Sequence, residues 1–171
     1  MKLSGKHIAI FAEQKYEDME LWYSYYRLTE EGATVTIVGS GTAQEYHGKY
    51  GYPAKVDKDI NDVKADDFDA LIIPGGFAPD YMRRSEHMVQ FVRDMNTKGK
   101  IVAAICHGPW MLASAEIVSG KNTTSFFAIK SDMVHAGATW SDAEVVRDGN
   151  LITSRKLSDL PAFCRTIIEL L

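Results

Sequence analysis

The chain has 171 residues, 46% of them hydrophobic, and a formal charge of −4 from 19 basic and 23 acidic side chains. That length and apolar share suit a single domain, residues 1–171, with a sizeable core. Acids and bases are interspersed without a basic stripe, which argues against a nucleic-acid partner. No apolar run approaches the roughly 20 residues that span a bilayer, so no membrane association is expected. Met1–Lys6 leads directly into a strand without a signal-peptide core, and a cytoplasmic protein is the expectation.

Apolar strands alternate with amphipathic helices along the chain, the pattern of an α/β parallel sheet. His7–Ala12 reads as the first strand. A helix follows over about Asp18–Glu31, with Gly32 as its terminator and Leu21, Tyr25 and Leu28 on one face. Trp22, Tyr23, Tyr25 and Tyr26 read as core and subunit interface. Thr34–Val38 is the second strand, and residues 43–60 form an irregular β excursion with the look of a hairpin. Phe68–Ile73 is a third core strand, ended by Pro74-Gly75-Gly76. Ser85 caps a helix that buries Met88, Phe91, Val92 and Met95 and stops at Gly99. Lys100–Ile105 is a buried strand. Residues 143–146 and 151–154 flank Arg147-Asp148-Gly149-Asn150, a hairpin turn. Ser158 is expected to cap the last helix, whose buried stripe is Leu160, Cys164, Ile167, Ile168 and Leu171.

The chemistry concentrates in Ala104-Ile105-Cys106-His107-Gly108-Pro109. A cysteine stands where a buried strand must turn sharply into a helix opened by proline. Such an elbow exposes one side chain and aims the amides of the new helix at it. The positive helix end is expected to favour thiolate over thiol. His107 is a base or ion-pair partner attached to the nucleophile. Cys164, on the apolar face of the last helix, reads as packing.

In doubly wound sheets ligands bind beyond the carboxyl ends of the strands. Glu13 and Tyr16-Glu17-Asp18 lie at one such end, Pro74-Gly75-Gly76 at another and Cys106-His107 at a third. A carboxyl, a turn with free amides and a thiol would converge there, the set needed for a nucleophile, an acid or base and an oxyanion hole. Asp18 and Glu20 read as surface acids in the first helical turn. His7, His47, His87 and His135 lack metal-ligand spacing, so no metal is expected. No phosphate loop or complete dinucleotide fingerprint follows a strand, so no cofactor is expected either.

Tyr16-Glu17-Asp18-Met19-Glu20-Leu21, Pro74-Gly75-Gly76, Ala104–Pro109 and Thr153-Ser154-Arg155 together resemble the ThiJ/PfpI family. The nearest branch is the PfpI-type intracellular cysteine proteases, a group also associated with protein deglycase and glyoxalase activities. The resemblance runs nearly end to end. It implies a flavodoxin-like three-layer sandwich with a mainly parallel central sheet, as in class I glutamine amidotransferases. It further implies Cys106 as nucleophile, His107 as its acid or base, and Glu17 approaching the Cys106 sulfur as acid or proton shuttle. The oxyanion hole would use the amides of Gly76 and His107, with Gly75 in the same turn. Asp80 holds the position of a carboxylate that reaches the histidine from a neighbouring subunit. The family also implies a homo-oligomer of dimers building to a hexamer. Where some members place a tyrosine near the site, this chain has Phe126, and Phe126 or Trp110 would line a small pocket.

A cofactor-independent cysteine hydrolase follows as the leading expectation. Its substrate would be a small aldehyde or a peptide or protein: an amide gives an acyl-enzyme, an α-oxoaldehyde gives a hemithioacetal, and a glycated side chain gives a repaired residue. A second reading is a redox sensor or stress-related holdase that oxidises Cys106 without turnover. A glutaminase is disfavoured, because no triad histidine with a following glutamate occurs late in the chain.

Overall fold

A computed structural model describes residues 1–171. In chain order the elements are β1 (His7–Ala12), α1 (Asp18–Glu30), β2 (Thr34–Gly39), β3 (Glu45–His47), β4 (Pro53–Lys55) and β5 (Lys58–Asp59). There follow β6 (Ala70–Ile73), α2 (Ala78–Met82), α3 (Glu86–Thr97), β7 (Ile101–Ile105), α4 (Pro109–Ser114) and β8 (Asn122–Thr123). The chain ends with α5 (Lys130–His135), β9 (Thr139–Trp140), β10 (Val145–Asp148), β11 (Leu151–Ser154) and α6 (Leu160–Leu170).

Seven strands form the central sheet in the order β10-β11-β7-β6-β1-β2-β5, parallel except where β10 pairs antiparallel with β11. Ile8 to Ala12, Ala70 to Ile73 and Ile101 to Ile105 are buried at every position. These continuous apolar runs, without alternation, belong to strands covered on both faces. Helices α1 and α6 pack together against the sheet, and α3 packs on β6 and β7 with α4 beside it. The architecture is the α/β flavodoxin-like sandwich, with helical layers on both sides of a mostly parallel sheet.

The chain runs from β1 outward through β2 to β5, then returns to β6 on the other side of β1 and proceeds to β7 and β11. The strand order therefore reverses between β1 and β6, where the two loops leaving the carboxyl ends diverge and open a crevice. Here the loops are laced together instead: Tyr16 and Gly76 form an antiparallel bridge, with Glu17 N–H donating to Gly75 O (3.1 Å) and Phe77 N–H to Lys15 O (2.9 Å). Cys106 follows the neighbouring strand, β7.

Several local expectations hold. Ser85 accepts from Met88 N–H at 3.3 Å, and Gly32 and Gly99 follow their helices at φ +97° and +67°. The residue 43–60 excursion contains the β3–β4 hairpin. The last helix differs: its N-cap is Asp159, not Ser158, because Leu157–Asp159 forms a 3₁₀ turn ahead of it. The Asp159 carboxylate does not cap the helix; it accepts from the Arg155 backbone and guanidinium, tying the end of β11 to α6. Leu171 is only half-buried, and Tyr26 stands 60% exposed at the edge of the aromatic cluster.

Candidate active site

Cys106 adopts φ +62°, in the left-handed region. A non-glycine residue there costs on the order of 1 kcal/mol or more and needs its surroundings to hold it. They do. Its N–H donates to Ser154 O of the adjacent β11 (3.1 Å), and its carbonyl accepts from Phe126 N–H (2.9 Å). The strained turn thus sits at the junction of β7 and α4, as the sequence predicts, with the side chain half-buried.

The sulfur has four kinds of neighbour. The amides of Gly76 and His107 point at it and ease its ionisation. His107 Nδ1 lies 3.3 Å from Sγ. The carboxyl of Glu20 also bonds with the thiol and, when charged, opposes its ionisation. Lys49, at the tip of the β3–β4 hairpin, places its Nζ 4.0 Å from Glu17 Oε1, and its charge favours the thiolate.

The carboxyl against the sulfur is Glu20, and this corrects the assignment to Glu17. Glu17 is the N-cap of α1, its Oε2 accepting from Glu20 N–H at 3.0 Å. Glu20, far from being a surface acid, is 1% exposed. Its Oε2 accepts from Gly75 N–H at 2.6 Å, while Gly75 O accepts from Glu17 N–H. In a capping box the third residue of the helix reaches back to the N-cap amide. Here the Gly75 loop inserts between them, takes the Glu17 amide onto its own carbonyl and directs Glu20 toward the thiol. The E-x-x-E spacing, with both acids on one side of a helix start, is the sequence signal that carries this pair.

Gly75 is also reassigned. Its N–H is bonded to Glu20 and is not free to meet an oxyanion, while the amides of Gly76 and His107 face the sulfur. Gly75 is glycine for reasons of space. A Cβ there would lie 2.8 Å from Cys106 Cβ, 2.8 Å from Glu20 Oε2 and 2.9 Å from His107 N, nearer than carbon can stand.

The electrostatics of the packed site run against the expected thiolate. Burial first, and then the Glu20 charge, push the Cys106 thiol up to about 12, outweighing the two amides and Lys49. A helix of only six residues follows, and its end does not compensate for lost hydration. Burial likewise pushes Glu20 up to about 8, with Glu17 adding to the rise and the Gly75 amide and Lys49 resisting it. Burial thus favours the neutral form of each group in this pair. His107 is held below its usual range by burial and Lys49, with Asp132 opposing. It is a neutral imidazole.

Around that imidazole the walls are aromatic. Phe126 stacks on His107 with centroids 5.1 Å apart, Trp110 meets it edge-on at 5.1 Å, and Trp110 Nε1–H donates to Asp132 at 2.8 Å. Asp80 does not join this cluster within its own chain; it pairs with Arg84 at 2.5 Å on α2 and is about half exposed. Lys49 escaped the sequence reading because nothing local in Gly48-Lys49-Tyr50-Gly51 marks it; the fold of the hairpin over α1 brings it in.

A strained cysteine elbow at the carboxyl edge of a flavodoxin-like sheet, with two amides and an acid on the sulfur, defines a cysteine-centred α/β protein of the nucleophile-elbow class. The chain belongs to the DJ-1/PfpI family, whose model matches residues 6–170. It is 46% identical over 164 residues to a Pyrococcus furiosus protein named Deglycase PfpI, covering 96% of this chain and 98% of that one. It is 39% identical over 169 residues to the Escherichia coli Protein/nucleic acid deglycase 2, covering 98% of each. Among solved structures, DJ-1beta of Drosophila melanogaster superposes with a TM-score of 0.91 at 30% identity, over 97% of this chain and 90% of that one. No helix is long and apolar enough to cross a membrane.

Proposed function

We propose that the protein is a PfpI-type deglycase or hydrolase that works by thiol attack on a carbonyl. The observation that carries this reading is the Cys106 elbow itself, with the Gly76 and His107 amides on its sulfur and the Glu20 carboxyl beside it. Relatives named as deglycases support the same class. An α-oxoaldehyde, free or attached to a protein side chain, is the substrate class that the site suits.

The resting thiol must lose its proton as it attacks. His107 Nδ1, neutral and 3.3 Å away, is the acceptor. Sulfur bonds to the aldehyde carbon, the carbonyl π pair moves to oxygen, and the amides of Gly76 and His107 hold the developing charge. Protonation of that oxygen by the neutral Glu20 carboxyl completes a hemithioacetal. A proton shift from the first carbon to the second gives a 2-hydroxy thioester, and water releases the hydroxy acid and the thiol. No external oxidant is consumed. Glu17, one helical turn from Glu20, supports this acid electrostatically and is not the group that meets the sulfur.

The test is conversion of methylglyoxal to lactate by the purified protein without glutathione or metal. Lactate from wild type and none from Cys106→Ser is expected. No lactate from reduced, folded wild type would overturn the aldehyde reading and favour peptide hydrolysis or redox sensing. The redox reading rests on the protonated Glu20, a donor placed to hydrogen-bond an oxygen on an oxidised sulfur. Peroxide oxidation confined to Cys106, without turnover, would favour it.

We further infer that a second copy of the chain completes the site, with Asp80 of the neighbour orienting His107. Activity per subunit should then fall on dilution to monomer, and activity that stays constant through dissociation would remove the shared site.

A further inference from the structure

The helix start that builds the site carries an outward acid as well. Asp18 is half-buried and sends no bond to the thiol. Its Oδ2 accepts from Tyr50 N–H and its Oδ1 from Tyr52 N–H, each at 3.1 Å, both at the tip of the β3–β4 hairpin. The seat is close. A Cβ on buried Gly48 would lie 2.2 Å from Asp18 Oδ1 and 2.5 Å from Oδ2, so only glycine admits the carboxylate.

Lys49 stands inside this latch. Gly48 N–H donates to Tyr52 O (2.9 Å) and Gly51 N–H to Gly48 O (2.8 Å), closing the tip, while Lys49 N–H donates to Tyr16 O (2.9 Å). Its side chain stays partly in solvent, and its Nζ stands 4.0 Å from Glu17 Oε1. Tyr50 and Tyr52 are 79% and 57% exposed, so side-chain burial does little to hold the tip. The polar ties are Asp18 to two amides and Tyr16 OH donating to Tyr52 O at 2.5 Å, and beside them the Tyr52 ring meets Trp22 edge-on at 5.6 Å.

We propose that Asp18 is a positioning residue for the Cys106 chemistry: by latching the hairpin tip it holds the Lys49 ammonium 4.0 Å from Glu17, at the edge of the buried acids beside the thiol. The inference rests on the reading of Cys106 as the attacking group. The charged and titratable groups that face the sulfur are Glu17 and Glu20 from α1, His107 from the elbow and Lys49 from the hairpin, with Asp132 of α5 acting on His107 from behind. Lys49 is the cation among them. Released from the latch, the tip would carry the partly solvated ammonium away from the acids, and greater distance with more intervening water would weaken its reach.

The experiment is the rate of iodoacetamide alkylation at Cys106, resolved by peptide mass spectrometry, from about pH 6 to 10. It compares wild type with Lys49→Met, Asp18→Asn, Gly48→Ala and the Asp18→Asn/Lys49→Met double variant, each first shown to be folded. Removing a cation leaves less thiolate at any pH, so Lys49→Met and Asp18→Asn should both slow the reaction at pH 8 by roughly three- to tenfold. The double variant should be no slower than Lys49→Met alone, because the latch acts through the lysine. Gly48→Ala, which evicts the carboxylate, should reproduce Asp18→Asn and serves in its place if that variant does not fold. A wild-type profile in Lys49→Met, or in both latch variants, would overturn the proposal, as would additive losses in the double variant. Alkylation needs no turnover, so failure to make lactate while the shifts persist would sink the functional reading and leave the latch standing.

Discussion

The two cysteines make an instructive pair. Cys164 lies in the middle of α6, fully buried, with Ser24 Oγ 3.8 Å from its sulfur, and burial pushes its thiol up to about 11. Cys106, the candidate nucleophile, is pushed higher still, to about 12. Resting acidity therefore does not tell the candidate nucleophile from the packing cysteine. What differs is the company each keeps. Cys164 has one weak hydroxyl partner and no path for substrate. Cys106 has two amides aimed at its sulfur, an imidazole nitrogen at 3.3 Å and a buried carboxyl beside it, the groups the proposed attack would use. A thiol that ionises only as it reacts also avoids leaving an uncompensated charge in a dry site.

The sharpest way to break that comparison is to remove each sulfur. Cys106→Ser should lower lactate formation from methylglyoxal by about a thousandfold or more. Cys164→Ala should leave turnover within about twofold and lower stability by roughly 1 kcal/mol, a drop of a few degrees in melting temperature. Comparable activity losses in the two variants would abolish the distinction.

Gly75→Ala comes next. The added methyl must displace Cys106, Glu20 or the His107 amide, and misplacement on that scale should cost about a hundredfold in kcat/KM with the fold retained. Circular dichroism alongside kinetics separates the two effects.

Glu20→Gln tests the acid. Turnover should fall by roughly a hundredfold, because the amide cannot donate an acidic proton. Alkylation of Cys106 above about pH 8 should instead become several-fold faster, because the carboxylate that opposes the thiolate there is gone. Opposite signs in one variant are hard to obtain from simple damage.

The same residue ties stability to pH. Glu20 binds its proton more tightly folded than unfolded, rising from an ordinary 4.5 to about 8. Its contribution is fully present below about pH 4.5 and is lost as pH rises toward 8. Denaturant titrations should show wild type losing stability relative to Glu20→Gln across that window, by at most about 1.4 kcal/mol per pH unit. The smallest effect belongs to Glu17→Ala. The lost cap should cost about 1 kcal/mol, with less loss of turnover than Glu20→Gln; the reverse ranking would restore Glu17 as the acid.

Much of this molecule is legible in the chain. Periodicity finds the buried strands and the helices with their glycine stops, since burial on both faces or on one stripe is written directly into residue spacing. The elbow is legible too, because a buried strand meeting Cys-His-Gly-Pro leaves few backbone paths. The short β8 and β9 strands, two residues each, lie below any periodic signal. Ser158 suits a cap by residue type, yet it lies inside the 3₁₀ turn Leu157–Asp159, and the helix starts one residue later than a Ser158 cap would place it.

By itself, then, the sequence determined the sheet, its order of apolar runs, the cysteine elbow and the adjoining imidazole, all of which follow from local spacing. Tertiary structure decided which acid meets the sulfur, which glycine lends its amide, and that Lys49 joins them. Those choices depend on how the Gly75 loop docks on the start of α1 and how the hairpin folds over it, contacts between segments some 25 to 60 residues apart, as in the Gly75–Glu20 bond with its separation of 55. It also set the charge states. Desolvation at Cys106 and Glu20 outweighs a short helix end, and burial of that kind is a property of the whole packed molecule.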